Sequence, residues 1–129
     1  MVGIVIVSHS QKLAEGVVEI AKMMADKDAP IVAAGGMEDG GLGTSFEKIS
    51  RAVDEVYSDE GVAILMDMGS AVMTAEMVIE AMEERRIKLI DGPVAEGAVL
   101  AAVEAKMGSS LEVIAQRVEE ARGIKKLSE

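Results

Sequence analysis

Short unbroken apolar runs alternate along the chain with stretches in which apolar residues recur every three or four positions. Residues 2–7 are the first such run, β-branched and without polar alternation, the pattern of a strand covered on both faces of a parallel sheet. Residues 31–34 read as a second short strand, residues 62–66 as a third buried one, and residues 87–90 approximately as a fourth. Helical periods fall between them. Leu13, Val17, Ile20, Ala21 and Met24 form one, ended by the polar stretch before Pro30. Ile49, Val53 and Val56 form the next, closed by Asp59-Glu60-Gly61, and Val72, Ala75, Val78, Ile79 and Met82 form a third. Two helices finish the chain. One carries Val94, Ala98, Ala101, Ala102 and Ala105, and the other spans about residues 111–122, between a cap at Ser109 or Ser110 and a stop at Gly123. Four strand–helix alternations predict an α/β fold, an open parallel sheet with helices on both faces. No Pro-rich, Ser-rich or like-charge block interrupts them, so residues 1–129 are expected to form a single domain.

Open sheets of this kind bind ligands beyond the carboxyl ends of their strands, where the strand order reverses. With the order 2-1-3-4 expected here, that point lies between the first and third strands, whose ends carry His9 and Asp67. His9 is the only histidine, and Asp67 reads as the only strand-end carboxylate. A carboxylate that accepts from one imidazole nitrogen fixes the tautomer and frees the other nitrogen's lone pair for attack. Gly69 and Ser70 open the next helix, where free N–H groups and the positive dipole end favour an anion. The same four residues from Asp67 to Ser70 also fit an ordinary strand-to-helix turn capped by serine. Within the glycine-rich loop 35–45, residues 40–45 could approach a phosphoryl group through their amides. This stretch lacks a P-loop ending and dinucleotide spacing, and Thr44 or Ser45 equally suits a helix cap. Glu38 and Asp39 read as an exposed acidic turn rather than metal ligands.

Composition removes several classes of function. With no cysteine and one histidine, disulfides, thiol catalysis and Cys- or His-rich metal centres are excluded, and no metal site is expected. A formal charge of −10 and only two aromatic side chains, Phe46 and Tyr57, argue against nucleic acid and anionic membranes. No run is long enough to span a bilayer and residues 2–7 lack a basic flank, so the chain is expected in the cytoplasm. Methionines at helical spacing, such as Met73, Met77 and Met82, read as adaptable core filler rather than a copper site.

Four segments together resemble a known family: residues 3–10 with Leu13-Ala14-Glu15-Gly16-Val17, Gly41-Leu42-Gly43-Thr44-Ser45, residues 61–71, and Pro93-Val94-Ala95-Glu96-Gly97-Ala98. In order and spacing they are similar to the phosphotransferase subunit of phosphoenolpyruvate-dependent dihydroxyacetone kinase, a relative of the mannose-type enzyme IIA of the bacterial sugar phosphotransferase system (PTS). The resemblance implies that His9 takes a phosphoryl group, through Nε2, from the histidine-containing phosphocarrier protein. It implies passage to ADP on a separate nucleotide-binding kinase subunit, and from there to dihydroxyacetone in glycerol metabolism. It implies Asp67 as the orienting group, Ser70 near the phosphoryl oxygens, and Gly69, Thr44 and Ser45 as a phosphate-binding rim. No cofactor is expected on this chain, since ADP/ATP and magnesium would sit on the partner, and a homodimer is expected. Some relatives carry the phosphocarrier protein and part of enzyme I fused after this domain; here both are expected in trans. Met68 and Thr74 stand where relatives often have leucine and asparagine, which touches packing only. Ser10 and residues 42–45 favour the dihydroxyacetone branch over a sugar-transporting enzyme IIA, the alternative, with a non-catalytic interaction module as a third reading. The partner surface is expected to ring His9 and to be less acidic than the rest.

Overall fold

A computed structural model describes residues 1–128; Glu129, the end of the expected domain, lies outside them. The elements run β1 (Gly3–Ser8), α1 (Gln11–Met24), β2 (Ile31–Gly35), α2 (Phe46–Val56), β3 (Val62–Met66), a 3-10 turn (Gly69–Ala71), α3 (Val72–Ala81), β4 (Ile87–Leu89), α4 (Val94–Lys106), α5 (Leu111–Glu120) and a closing 3-10 turn (Ala121–Gly123). The sheet has four strands in the order β2-β1-β3-β4, all parallel, with Val7 opposite Met66 at the carboxyl end of the central pair. This is the α/β architecture and strand order read from the sequence.

Every residue of β1 is buried, as its unalternating pattern requires. Its side chains feed two cores in turn. Ile4 and Ile6 join α1, α4 and α5 on one face, and Val5 and Val7 join α2 and α3 on the other. The buried alanines of α4, Ala98, Ala101, Ala102 and Ala105, let that helix lie close to its neighbours. No helix among the described residues is long and apolar enough to cross a membrane.

The helical periods were correct, but not always the face they bury. In α1 the buried row is Ala14, Val17 and Ala21, while Leu13, Ile20 and Met24 are 42%, 47% and 59% exposed. Small residues allow α1 to sit close to the sheet and to α4, and the larger apolar side chains of the same period are left outside. The core-filler reading of the α3 methionines is likewise corrected. Ala75 and Val78 form its buried row, Met73 and Met77 are 74% and 56% exposed, and only Met82 packs against the core.

One close approach sets the position of the chain after β1. A Cβ on Gly35, at the end of β2, would lie 2.5 Å from the Ser10 carbonyl oxygen and 2.8 Å from Gln11 Cα. Gly36 follows with φ +72°, a conformation that favours glycine, and its N–H donates to Ser8 O at 3.0 Å. The first turn of α1 therefore rests directly on the end of β2.

Candidate active site at the ends of β1 and β3

The ladder that joins β1 to β3 continues one residue past β3, where Asp67 N–H donates to Val7 O at 3.1 Å. That bond sets the Asp67 side chain beside the residues leaving β1. Its carboxylate accepts four hydrogen bonds, two on each oxygen. Oδ2 receives the Ser8 hydroxyl at 2.9 Å and the His9 backbone N–H at 3.0 Å. Oδ1 receives His9 Nδ1–H at 3.0 Å and the Met68 N–H at 2.7 Å. Burial alone would raise the Asp67 carboxyl above its ordinary pKa. The bonds from His9 N–H, Ser8, the His9 ring and Met68 N–H outweigh burial and hold it below that value. Asp67 is therefore an anion at neutral pH, and an anion with four donors makes Nδ1 the protonated nitrogen of His9.

The other nitrogen faces outward. His9 Nε2 lies 2.7 Å from Ser70 Oγ, and with Nδ1 protonated it is Ser70 that donates. The His9 side chain is 24% exposed against 10% for Asp67, so the ring is held from within and open at its free edge. Gly69 and Ser70 lie exposed in the 3-10 turn that runs into α3. As leading residues of a helix their N–H groups have no intrahelical carbonyl to bond, and they sit at its positive end. A nucleophilic nitrogen, an orienting carboxylate and donors suited to an anion are thus brought together from two neighbouring strand ends.

The glycine-rich loop takes part less directly. Gly43 N–H donates to the His9 carbonyl at 2.8 Å, and the next residue, Thr44, pairs its hydroxyl with that of Thr74 at 2.9 Å. Thr74, read as a packing change only, thereby ties the loop to α3. Ser45 is corrected as a rim residue: it is 5% exposed, and its hydroxyl caps α2 by accepting Lys48 N–H at 3.1 Å. Asp67 is also not the only strand-end carboxylate. Asp91 follows β4 at the same edge, but it is paired with Arg122 at 2.8 Å. A cavity of about 380 Å³ opens between these two strand ends, lined by Asp67, Met68, Val72, Leu89 and Asp91 among others. Among the described residues no group of three His, Asp or Glu side chains is placed to hold a metal ion.

Ser8 is the residue that sequence reasoning missed. It is 0% exposed and in contact with Asp67. Its signal was present in the serine two residues before another backbone N–H at a strand-to-helix turn, a spacing at which a hydroxyl bonds locally.

The family model described as "PTS system fructose IIA component" matches residues 3–115. A Listeria innocua protein named phosphoryl donor subunit DhaM of PEP-dependent dihydroxyacetone kinase 1 is 42% identical over 113 residues, covering 88% of this chain and 89% of that one. The Lactococcus lactis phosphotransferase subunit DhaM of PTS-dependent dihydroxyacetone kinase is 35% identical, covering 91% and 93%. The crystal structure of an EIIA component of the phosphotransferase system from Streptococcus agalactiae superposes with a TM-score of 0.73 at 18% identity, over 98% of this chain and 97% of that chain, a likeness of fold.

Proposed function

The chain belongs to the PTS fructose IIA family, to which mannose-type enzymes IIA are assigned, and on that premise we propose that it shuttles a phosphoryl group on His9 Nε2 as the donor subunit of a dihydroxyacetone kinase. The observation that carries the reading is the pair of bonds on one imidazole. Asp67 accepts the hydrogen bond from Nδ1–H, and the opposite nitrogen, with its lone pair, points to the surface beside the Ser70 hydroxyl. In the first step that lone pair attacks phosphorus on the phosphocarrier protein's phosphohistidine; the new N–P bond forms as the donor's N–P bond breaks, and the electron pair returns to the donor ring. Nδ1 keeps its proton throughout. Asp67 stabilises the positive charge that appears on the phosphorylated ring, and Ser70 turns its donor from Nε2 to a phosphoryl oxygen. In the second step a terminal oxygen of ADP on the kinase subunit attacks, and the N–P bond electrons return to Nε2. Nucleotide and magnesium belong to that subunit in this reading.

The surface around Nε2 suits contact with proteins. Met73, Thr74 and Met77 follow Ser70 at three, four and seven residues on α3, and Met68, Met73 and Met77 are 56%, 74% and 56% exposed. These uncharged, flexible side chains stand on a chain of charge −10, and methionine adapts to more than one partner. The same chemistry would serve a sugar-transporting enzyme IIA, a reading favoured by the description of the family model; the names of the relatives favour the kinase.

Intact-mass measurement after incubation with phosphoenolpyruvate, enzyme I and the phosphocarrier protein tests the proposal. One acid-labile phosphoryl group is expected on the wild type and none on His9→Ala, discharged when the ADP-loaded kinase subunit is added. Discharge only to a sugar-specific enzyme IIB would select the transport reading. Absence of labelling with a competent donor would leave an interaction module with a structural His9.

A further inference from the structure

Ser8 closes β1 with its backbone carbonyl already bonded to Gly36 N–H at 3.0 Å, and its side chain is wholly buried. A hydroxyl has one proton to give. Ser10 N–H donates to Ser8 Oγ at 3.0 Å, so one lone pair is occupied by the first residue of the turn into α1. The proton is directed to Asp67 Oδ2, 2.9 Å away. One oxygen atom therefore joins the start of a helix to the carboxylate that holds the imidazole.

The remaining bonds on Asp67 pull unevenly. Met68 N–H, from the next residue in the chain, is 2.7 Å from Oδ1, shorter than the 3.0 Å bond that Oδ1 accepts from His9 Nδ1. The torsion that turns a carboxylate is soft. Without a second donor on Oδ2, only His9 N–H would oppose rotation of Oδ1 toward Met68 and away from the ring. The geometry points to Ser8 as a positioning residue for the phosphoryl-transfer site: its hydroxyl fixes the plane of the Asp67 carboxylate, and through that plane the tautomer and orientation of His9. The kinetic side of this inference rests on the transfer reading given above. The tautomer side does not, because it concerns the resting ring.

The chain has one histidine, so the two ring nitrogens give unambiguous 15N NMR signals at a pH where the ring is neutral. Wild type is expected as the Nδ1–H tautomer, and Ser8→Ala as a mixture in which the tautomer ratio falls about tenfold. Ser10→Ala is the control. It removes the α1 cap, where Ser10 Oγ accepts Leu13 N–H at 3.2 Å, and is expected to lower thermal stability while leaving the tautomer as in wild type. In transfer assays Ser8→Ala is expected to lower kcat about tenfold, a common cost of losing a group that orients a functional histidine, with KM for the donor protein unchanged. Ser8→Cys keeps a hydrogen-bearing atom at the same branch, somewhat larger and a weaker donor, so it should fall between the two and decides the matter if Ser8→Ala does not fold. A wild-type tautomer spectrum in folded Ser8→Ala, or in Ser8→Cys in its place, overturns the inference whatever happens to melting temperature. A wild type that no donor labels defeats the transfer reading alone, and the NMR result still judges Ser8.

Discussion

Replacing Asp67 by asparagine preserves the shape of the side chain and removes one of its two acceptor ends, with consequences that depend on which end is lost. With the amide oxygen toward Ser8 and the His9 backbone, the new NH2 group meets Met68 N–H donor to donor and turns His9 Nδ1 into an acceptor. The ring proton then moves to Nε2, and the lone pair that attacks phosphorus in the proposed transfer is gone. With the oxygen toward Met68, Nδ1–H keeps its partner, but the NH2 group faces the His9 backbone N–H, which is fixed by the chain. Either way at least one donor of four is left facing another. Hydrogen bonds to charged groups contribute about 1.5–3 kcal/mol each, so Asp67→Asn should destabilise the fold by about 2 kcal/mol. For a chain of this length that lowers Tm by about 8 °C. Its effect on transfer should be larger, at least about a hundredfold, toward the factor of about 10⁴ measured when an Asp-to-Asn change inverts the tautomer of a protease histidine. Rapid-quench transfer of labelled phosphate from the phosphocarrier protein, alongside thermal melting, reads both numbers. Folded Asp67→Asn transferring within about threefold of wild type would refute the assignment of tautomer control to this carboxylate.

Three further outcomes are expected. Since the folded-state pKa of Asp67 is depressed, its contribution to stability is complete above the unfolded value of about 3.9 and is lost as pH falls through the lower folded value. The Tm gap between wild type and Asp67→Ala should therefore be constant at higher pH and close below about pH 4, and a gap that persists unchanged at lower pH contradicts the account. Ser70→Ala, on the surface, should leave stability within about 0.5 kcal/mol but shorten the lifetime of the phosphohistidine and slow transfer by about tenfold or more; unchanged values for both would remove Ser70 from the site. Gly35→Ala sets a methyl 2.5 Å from the Ser10 carbonyl oxygen and should cost about 1–3 kcal/mol while slowing transfer, because the Ser8–Ser10 turn must shift. A variant with wild-type stability would mean that β2 and α1 separate freely.

Much of this arrangement is legible in the amino-acid sequence. Short unalternating apolar runs bounded by turn signals suit strands covered on both faces, so residues 2–7 and 62–66 pointed to the parallel sheet. The strand order then placed His9 and Asp67 at one edge. What the pattern could not give was the choice between two apolar faces of one helix. Leu13, Ile20 and Met24 share a period with Val17, yet close packing of α1 selects Ala14 and Ala21 for the interior. The outward turn of Met73 and Met77 is the same effect on α3. Ser45 shows a further limit: a hydroxyl in a glycine-rich loop has one appearance in sequence whether it meets a phosphate or caps a helix. For Ser8 only the local bond to Ser10 N–H could be read from spacing, while its bond to Asp67 crosses 59 residues and no local spacing encodes it.

The four bonds on Asp67 have a consequence for how such a molecule can change. All their donors come from Ser8, His9 and Met68, at two adjacent strand ends locked in register by the rungs below them. The His9 imidazole is thus framed by a small unit of backbone, while the exposed methionines of α3 and Leu42 lie outside that frame. Substitution there alters which surfaces fit against the molecule and leaves the ring's proton where it was. In the proposed transfer, chemistry and partner choice would then be separable, one free to drift while the other stands still.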